Sequence, residues 1–421
     1  MSFKCLCPAV VFAAAFAVTA LAANPPATKP PPENPDKTET VKGKHVTLEF
    51  RPSDYKLLKD PNAFLAFLDS VYEKMHELTY ASPPMTLRGY KNLGAWGTAG
   101  EGGLNIDWSC VPGCMTSFNS GMIEFGMVHE MGHVFDARSF ARWYITPVCG
   151  GETFANIKLS YVVDSLLRKD TPYRIEFGPG GKQTGYDFNN RFYLPAGKKY
   201  LEGTQTWDQM GVDDLHSFHM TLIRRYGWDV YKKWFRAYYV IEAQKDGRAP
   251  QSCNDPIRIN MVCALLSAFA GESLVPEFQR WRFPVTNESI DAVANRYRLR
   301  EVCAAVDSQF DKEYAEGKIT LDPLSLQVHA EKVPGKPVAK VTLFSVLKVN
   351  GAVIRYTLDN SEVGFPSTKG YIGTPITVSQ PLTVSAALYL PGKREPVLKT
   401  RAEINPATLP ETKAQPPART K

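Results

Sequence analysis

Two histidines and a glutamate stand at a spacing typical of a metal site. The sequence contains His129-Glu130-Met131-Gly132-His133, an H-E-x-x-H motif. Residues four apart share one face of a helix, so the imidazoles of His129 and His133 can meet one Zn²⁺ ion. Zinc lowers the pKa of its bound water, and Glu130, which is not a ligand, can take the water's proton and pass it to a leaving amine. The spacing therefore predicts zinc-dependent hydrolysis, most typically of peptide bonds.

A catalytic zinc site needs a third protein ligand beside an open position. Glu152 is the strongest candidate because it follows two glycines and begins a helical pattern. An acidic residue there would also favour the positive end of a helix dipole without any metal. Asp164 is the main rival, although no glycine-led turn precedes it. We therefore expect His129, His133 and Glu152 to hold Zn²⁺.

Two more side chains fall close to the expected metal face. Asn156 lies one helical turn after Glu152 and could orient Glu152 or the substrate. Asp136 lies two turns after His129 and could accept a hydrogen bond from a ligand histidine, unless it is simply exposed to solvent. Both are candidates for a place beside the metal rather than for ligands, and plain solvent exposure is the equal alternative for Asp136.

A peptidase also needs hydrogen-bond donors for the oxyanion of its tetrahedral intermediate. Candidates are His216, His219, Tyr226 and the aromatic-rich loop 186–200, although core or surface positions are commoner for such residues. The alternating stretch Leu104–Trp108 predicts a strand. It is interpretable either as the sheet edge to which a peptide substrate adds or as an ordinary strand of the sheet.

The first residues are typical of a secretory signal. Lys4 precedes an apolar run from Ala9 to Ala23 that contains small residues suited to cleavage. This run is shorter than the roughly 20 residues that span a bilayer, and an uncleaved anchor is the alternative. We predict a signal peptide at 1–22, a proline-rich linker at 23–44, and a secreted, periplasmic or extracellular protein without a stable membrane span.

Export permits disulfide bonds. Of the eight cysteines, two lie in the leader, and the others are Cys110, Cys114, Cys149, Cys253, Cys263 and Cys303. All of these fall within 45–318, so bridges are expected to brace that domain. The 49 Lys and Arg against 43 Asp and Glu leave a net charge of only +6 without a basic cluster, which argues against nucleic-acid binding.

Hydrophobic periodicity outlines the elements that must position the motif. A strand is expected at His45–Phe50, and helices are expected from Asp60 and at 120–136, 152–168, 212–242 and 257–270. From 321 to 404 the pattern changes to alternating Val, Thr and Tyr with Pro and Gly turns, which is typical of a small β-sandwich. The tail 405–421 is polar and predicted to be disordered.

The motif and its surroundings resemble a known family. The H-E-x-x-H motif, followed by Glu152 and by Asn156 a turn later, is similar to the enhancin-like zinc metallopeptidases over about residues 45–300. This resemblance implies an α+β zincin-like fold and a zinc site of the gluzincin type, in which a glutamate is the third ligand. It also implies a secreted endopeptidase that acts on O-glycosylated proteins such as mucins.

The C-terminal segment has a second resemblance. Gly351–Glu362 and the residues after it look like the chitobiase/β-hexosaminidase C-terminal domain, an immunoglobulin-like sandwich found on carbohydrate-active enzymes. Asn360 replaces the usual turn glycine, which is a mild change because Asn tolerates the left-handed conformation, and Val363 replaces the usual proline. Tyr356 and Tyr371 could contact sugar rings or, more commonly, pack in the strand core.

Together these patterns predict a zincin-like metallopeptidase domain at 45–318, followed by an all-β sandwich at 321–404. The expected substrate is a glycoprotein or protein, for example a mucin. The sandwich is a second candidate site of contact with carbohydrate. Two alternatives stay open. One is a gluzincin that cuts non-glycosylated polypeptide, and the other is a catalytically inactive surface protein that binds glycans or proteins.

Overall fold

The computed structural model divides the chain into two compact units. It describes residues 37–100, 102–136, 144, 151–168, 170–176, 182–183, 194–244, 255–365 and 368–409. The first unit takes its residues from 1–76, 81–138 and 151–195, and the second from 77–80, 139–150 and 196–421. The predicted signal peptide, 1–22, and the part of the predicted linker before residue 37 lie outside the described residues.

A five-stranded mixed sheet forms the base of the first unit. Its strands are β1 (Glu39–Lys42), β2 (Val46–Phe50), β3 (Met85–Tyr90), β4 (Gly97–Gly100) and β5 (Gly103–Asp107). Their order is β1-β2-β3-β5-β4, with β2, β3 and β5 parallel and the two outer strands antiparallel to their neighbours. Alternation places Val46, Leu48 and Phe50 in the core, each 1% exposed.

Two expectations about this sheet need correction. Strand β1 lies inside the segment 23–44 and pairs with β2, so part of the stretch that was predicted to be linker is a strand of this sheet. Strand β5, predicted at Leu104–Trp108 as a possible edge, has a partner on each side. The edge next to it is β4, because a strand of glycines and small residues carries no periodic hydrophobic signal.

Helices and a small second sheet complete the first unit. The helices are α1 (Pro52–Tyr55), α2 (Pro61–Thr79), α3 (Val111–Phe118), α4 (Phe125–Val134) and α5 (Glu152–Leu166), and the small sheet contains β6 (Met122–Glu124), β7 (Arg174–Glu176) and β8 (Lys182–Gln183). The residues that predicted α2 from their spacing are buried, namely Phe64, Phe67, Leu68, Val71 and Met75. The last turn of α2 is assigned to the second unit.

The second unit begins with helices. They are α6 (Leu194–Glu202), α7 (Val212–Tyr226), α8 (Trp228–Ala243), α9 (Asp255–Ala270), α10 (Val275–Arg280), α11 (Asn287–Arg296) and α12 (Leu299–Ala315). The long helical pattern at 212–242 is divided at Gly227, whose φ of 83° lies in the left-handed region. Glycine adopts that conformation without a steric penalty, so α7 ends there and α8 starts.

Two antiparallel sheets form the end of the second unit and share one hydrophobic core. Their strands are β9 (Leu326–Lys332), β10 (Ala339–Ser345), β11 (Val353–Thr357), β12 (Lys369–Gly370), β13 (Ile376–Val378), β14 (Leu382–Tyr389) and β15 (Leu398–Ile404), in the orders β13-β10-β9 and β12-β11-β14-β15. Asn360 has a φ of 66°, the left-handed conformation expected for its turn. Tyr356 and Tyr371 pack against the shared core, the commoner of their two predicted positions.

The β-sheets and the helices of the second unit are packed together rather than separated at 318–321. Phe310 and Ile319 belong to the same hydrophobic cluster as the strand residues. Lys233 on α8 donates to the carbonyl of Val346 at 2.5 Å, and Ser325 donates to the carboxylate of Asp229. Such contacts across the predicted boundary make one compact unit of the two segments.

The remaining expectations concern cysteines, the tail and membranes. Of the six cysteines expected to form bridges, the structure describes Cys110, Cys114, Cys263 and Cys303, and it shows all four as thiols that take part in no disulfide bond. Residues 405–409 form a turn in which Leu409 packs against the sheet core, whereas 410–421 lie outside the described residues. None of the described helices combines the length and hydrophobicity that a bilayer span requires.

Candidate active site

Helix α4 carries both histidines and enters the core directly from strand β6. The Glu124 side chain caps the helix by accepting a hydrogen bond from the backbone N–H of Met127 at 3.2 Å. Met131 and Val134 are fully buried, so one face of α4 is tied to the core. The opposite pair, His129 and His133, lies one turn apart, with Nε2 atoms separated by 3.1 Å. The packed apolar face therefore fixes the direction of both imidazoles.

Glu152, the first residue of α5, completes a cluster of three donor atoms. Its carboxylate lies 3.0 Å from Nε2 of His129 and 3.4 Å from Nε2 of His133. A tetrahedral zinc with bonds of about 2.0–2.2 Å would hold neighbouring ligand atoms about 3.3–3.6 Å apart. The observed separations of 3.0, 3.1 and 3.4 Å lie within or just below that range, so the two imidazoles and the carboxylate fit a zinc ion in chemistry and converge closely enough to hold one after a small outward shift.

Asn156 determines which nitrogen of His129 faces this cluster. Its Oδ1 lies 2.7 Å from Nδ1 of His129. Because an amide oxygen can only accept, Nδ1 donates the hydrogen, and the lone pair of a neutral imidazole is left on Nε2. Asn156 was expected to orient Glu152 or the substrate, and the structure instead places it against His129. It acts as the hydrogen-bond partner that a ligand histidine requires.

The cluster favours a positive charge. Burial alone would lower the pKa of His129, but hydrogen bonds and charge from Glu152, with help from Asn156, raise it overall. Hydrogen bonds from His129 and His133 hold the pKa of the Glu152 carboxyl far below its usual value, against the opposing effect of burial. The carboxylate therefore stays ionised among nitrogen atoms that bind either a proton or a metal cation.

Glu130 stands beside the cluster formed by the two histidines and Glu152. One carboxylate oxygen lies within 4.8 Å of the ligand atoms that His129 and His133 offer. Burial raises the pKa of Glu130, the two histidines lower it, and Glu152 raises it further, so the net direction is upward. A carboxylate with a raised pKa is a stronger base than an exposed one.

The edge strand β4 runs next to Glu130. A Cβ atom added at Gly97 would lie 3.4 Å from Cγ of Glu130. One added at Gly126, on α4, would lie 2.9 Å from the ring of Trp96, just before β4. These glycines let the strand approach the helix closely, so β4, the outer strand of the described sheet, lies next to the acidic residue of the motif.

The comparison with known families identifies the chain. The family described as Peptidase M60, enhancin and enhancin-like, matches residues 32–282, more than half of the 421 residues. The chain belongs to this family. The residues of the donor cluster, His129, His133 and Glu152, lie within the matched segment. No match is found among curated proteins.

Solved structures are similar to this enhancin-like peptidase at low identity. A mutant of a functionally unknown conserved protein from Bacillus anthracis str. Ames is 17% identical, with a TM-score of 0.48. The match covers 62% of this chain and 52% of that one. A metallopeptidase from Bacteroides thetaiotaomicron is 15% identical, with a TM-score of 0.44, and the match covers 84% of this chain and 64% of that one. The M60 catalytic domain of Clostridium perfringens ZmpC, in complex with the sialyl T antigen, is 13% identical, with a TM-score of 0.41 and coverages of 86% and 69%. This chain thus spans about half the length of the first of these proteins.

Asp136 has a different partner from the one expected. Its Oδ1 lies 2.6 Å from Nζ of Lys158, and the two side chains are 7% and 0% exposed. Burial lowers the pKa of Lys158, while the charge and hydrogen bond of Asp136 oppose that shift. Asp136 is therefore neither solvent-exposed nor shown as an acceptor from a ligand histidine. Lys158 was overlooked because it lies in an otherwise apolar stretch of α5.

Asp164 does not join the donor cluster. It lies on α5 twelve residues beyond Glu152, which corresponds to about 18 Å along the helix axis at 1.5 Å per residue. Helix geometry alone therefore removes Asp164 as a ligand of the ion that Glu152 would contact.

The predicted oxyanion donors lie in the second unit and have partners there. His219 is 2% exposed, its Nδ1 lies 2.9 Å from the hydroxyl of Tyr231, and burial lowers its pKa to about 3. The hydroxyl of Tyr226 donates to Glu272, beside a cavity of about 310 Å³ lined also by His329. His216 is fully buried. These are core positions, so the prediction of an oxyanion role has no support for them. Residues 186–193 of the predicted loop lie outside the described residues, and 194–200 belong to α6.

Proposed function

We propose that this chain is a secreted zinc endopeptidase that hydrolyses peptide bonds in O-glycosylated proteins. The observation that carries the proposal is the cluster formed by His129, His133 and Glu152, whose donor atoms lie 3.0–3.4 Å apart. Such a set of two imidazoles and one carboxylate leaves a fourth position open on zinc, as catalytic sites require. Family membership supports the same chemistry.

Each residue of the site has one task in this mechanism. Zinc bound there would act as a Lewis acid on the scissile carbonyl and lower the pKa of water toward neutrality. Glu130 accepts the proton of the attacking water on its carboxylate and then delivers it to the nitrogen of the leaving amine. Asn156 keeps Nε2 of His129 directed at the cluster through the 2.7 Å contact with Nδ1.

Strand β4 supplies a place for the substrate backbone. In the described sheet it pairs with β5 on one side alone, so its other edge can accept an extended peptide by strand addition. A peptide aligned there would pass Glu130, which lies beside Gly97. This arrangement suits an endopeptidase because the chain of the substrate can continue beyond both ends of the short strand.

The glycoprotein substrate is inferred from relatives. The resemblance to enhancin-like metallopeptidases implies a glycoprotein substrate, and the ZmpC domain was solved with the sialyl T antigen. We propose the same class for this chain, together with export directed by residues 1–22. The C-terminal sheets are proposed to form an immunoglobulin-like module, on the basis of their two-sheet core and the sequence resemblance.

One assay tests catalysis and glycan dependence together. A mucin-type glycoprotein is incubated with the full chain before and after enzymatic removal of its O-glycans, and the products are mapped by mass spectrometry. We expect cleavage of the glycosylated form, roughly 100-fold or more slower cleavage by Glu130→Gln, and zinc content unchanged in that variant. Glu49→Gln, which alters a carboxylate paired with Arg88, is the matched control and should cleave normally. Full activity of Glu130→Gln would exclude the mechanism, and equal cleavage of both substrates would exclude the glycan requirement.

A further inference from the structure

A buried ion pair joins the two helices that carry the donor cluster. Lys158 on α5 is 0% exposed, and its ammonium lies 2.6 Å from Asp136 and 3.0 Å from the carbonyl of Phe154. Burying an ammonium and a carboxylate costs a large desolvation free energy, so such a pair is weak evidence for net stability. A role in fixing one arrangement of the surrounding elements is the better-attested use of buried polar groups.

The positions of the two residues point to that role. Asp136 follows α4 directly, and its backbone N–H donates to the carbonyl of His133 at 2.9 Å. Lys158 lies on the same helix as Glu152 and Asn156. The ion pair therefore connects the residues just after His133 to α5. The same helix carries Glu152 and also Asn156, the hydrogen-bond partner of His129.

Other contacts also join these helices, among them the hydrogen bond between His129 and Asn156. At Gly132 the backbones of α4 and α5 approach so closely that a Cβ atom would lie 2.8 Å from the carbonyl oxygen of Ala155. Neither glycine nor alanine has a long side chain that interlocks with the facing helix. The ion pair between Lys158 and Asp136 adds a directional contact that involves no ligand histidine, and it can therefore define the register along the helix axis together with the hydrogen bond between His129 and Asn156.

We propose that Lys158 and Asp136 are positioning residues that set the register of α5 against α4 and so place the Glu152 carboxylate beside the imidazoles. The inference rests on the proposed function, because it takes Glu152 as a ligand of the metal. The pair itself contacts neither substrate nor metal. Its effect is on metal affinity and coordination geometry, transmitted through the helix backbones.

The test separates metal binding from folding. Asp136→Leu with Lys158→Met replaces the ion pair by apolar side chains, which avoids leaving one buried charge without its partner. Zinc affinity of the full chain is measured by chelator competition, the Co²⁺ absorption spectrum reports coordination geometry, and thermal unfolding of the metal-free protein reports stability. We expect zinc affinity to fall about 10–100-fold and the Co²⁺ spectrum to change, while the unfolding midpoint of the metal-free protein stays near that of wild type.

A second ion pair in the same chain provides the matched control. Lys233 is 1% exposed and lies 2.6 Å from Asp307, in the second unit. Lys233→Met with Asp307→Leu should leave zinc affinity and the Co²⁺ spectrum unchanged, whatever its effect on unfolding. If the Asp136 and Lys158 double variant does not fold, Asp136→Asn with Lys158→Gln removes both charges together and keeps polar side chains of similar shape. That variant should also lower zinc affinity, by about threefold or more.

The outcomes distinguish this inference from the proposed function. Wild-type zinc affinity and an unchanged Co²⁺ spectrum in a folded Asp136 or Lys158 variant would overturn the positioning role, even if stability changes. A wild-type chain that binds zinc yet cleaves no protein would overturn the proposed function and leave the positioning role supported by its variants. A wild-type chain that binds no zinc would overturn both.

Discussion

The imidazole of His129 and the amide of Asn156 meet at 2.7 Å across two helices, with Nδ1 facing Oδ1. Each residue thus supplies the hydrogen-bonding group that the other needs. The histidine obtains a fixed tautomer, and the buried amide oxygen obtains a donor. The contact connects the zinc chemistry proposed for α4 to the packing of α5.

Loss of this contact should weaken metal binding more than folding. In Asn156→Ala, Nδ1 of His129 loses its acceptor, and either nitrogen can then carry the proton. We expect zinc affinity to fall about 10–100-fold in chelator competition and stability to fall by about 1–3 kcal/mol. Asn156→Asp retains an oxygen acceptor at the same place and should keep affinity closer to wild type. Unaltered affinity in Asn156→Ala would contradict the tautomer assignment.

The assignment of the third ligand can be tested within one helix. Glu152→Gln retains the shape of the side chain but removes the charge that faces both histidines. We expect zinc affinity to fall by more than about 100-fold, beyond the loss typical of outer-shell changes. Asp164→Asn, three turns further along α5, is the control and should bind zinc as wild type. The reverse pattern would make Asp164 the ligand.

The close approach of α4 and α5 at Gly132 should not tolerate a methyl group. A Cβ there would lie 2.8 Å from the backbone oxygen of Ala155, which cannot move aside as a flexible side-chain end could. We expect Gly132→Ala to destabilise the protein by about 1–3 kcal/mol in urea denaturation and to reduce zinc affinity. A methyl group added at Gly113, on α3, would have no atom within 4 Å, so Gly113→Ala should instead stabilise by about 0.5–1 kcal/mol. Equal effects of both changes would argue against the steric account.

Burial of His219 should make stability depend on pH. Its folded pKa of about 3 lies below the roughly 6.5 of an unfolded chain, so between these values the unfolded state binds more protons. Stability contributed by the neutral imidazole is therefore present above about pH 6.5 and lost as pH falls, by about 1.4 kcal/mol per pH unit within that window. The measurement is denaturant unfolding from pH 7 to 4, followed by signals from the second unit. His219→Gln should show a shallower dependence, and identical slopes would exclude His219 as the source.

Much of the site was predictable because its spacing is local. An i,i+4 pair on a helix must share a face, so His129 and His133 face one point whatever the rest of the fold does. The place of Glu152 at the start of α5 was also predictable, since glycines before an apolar periodic stretch indicate where a helix begins. The predictions that the structure does not support, Asp136 as a partner of histidine and Tyr226 as an oxyanion donor, concern contacts that depend on distant segments. Lys158 with Asp136 and Glu272 with Tyr226 are 22 and 46 residues apart, respectively.

The sequence by itself determined the candidate metal site, which consists of an H-E-x-x-H helix and a following glutamate, and the family to which the chain belongs. It determined these because helix periodicity converts residue spacing directly into a shared face. Only the tertiary structure decided that β4 is the sheet edge, that Asn156 serves His129, and that the C-terminal sheets pack with the helices of the second unit. Those features arise from packing and from the need to give each buried polar group a partner, and neither follows from local spacing.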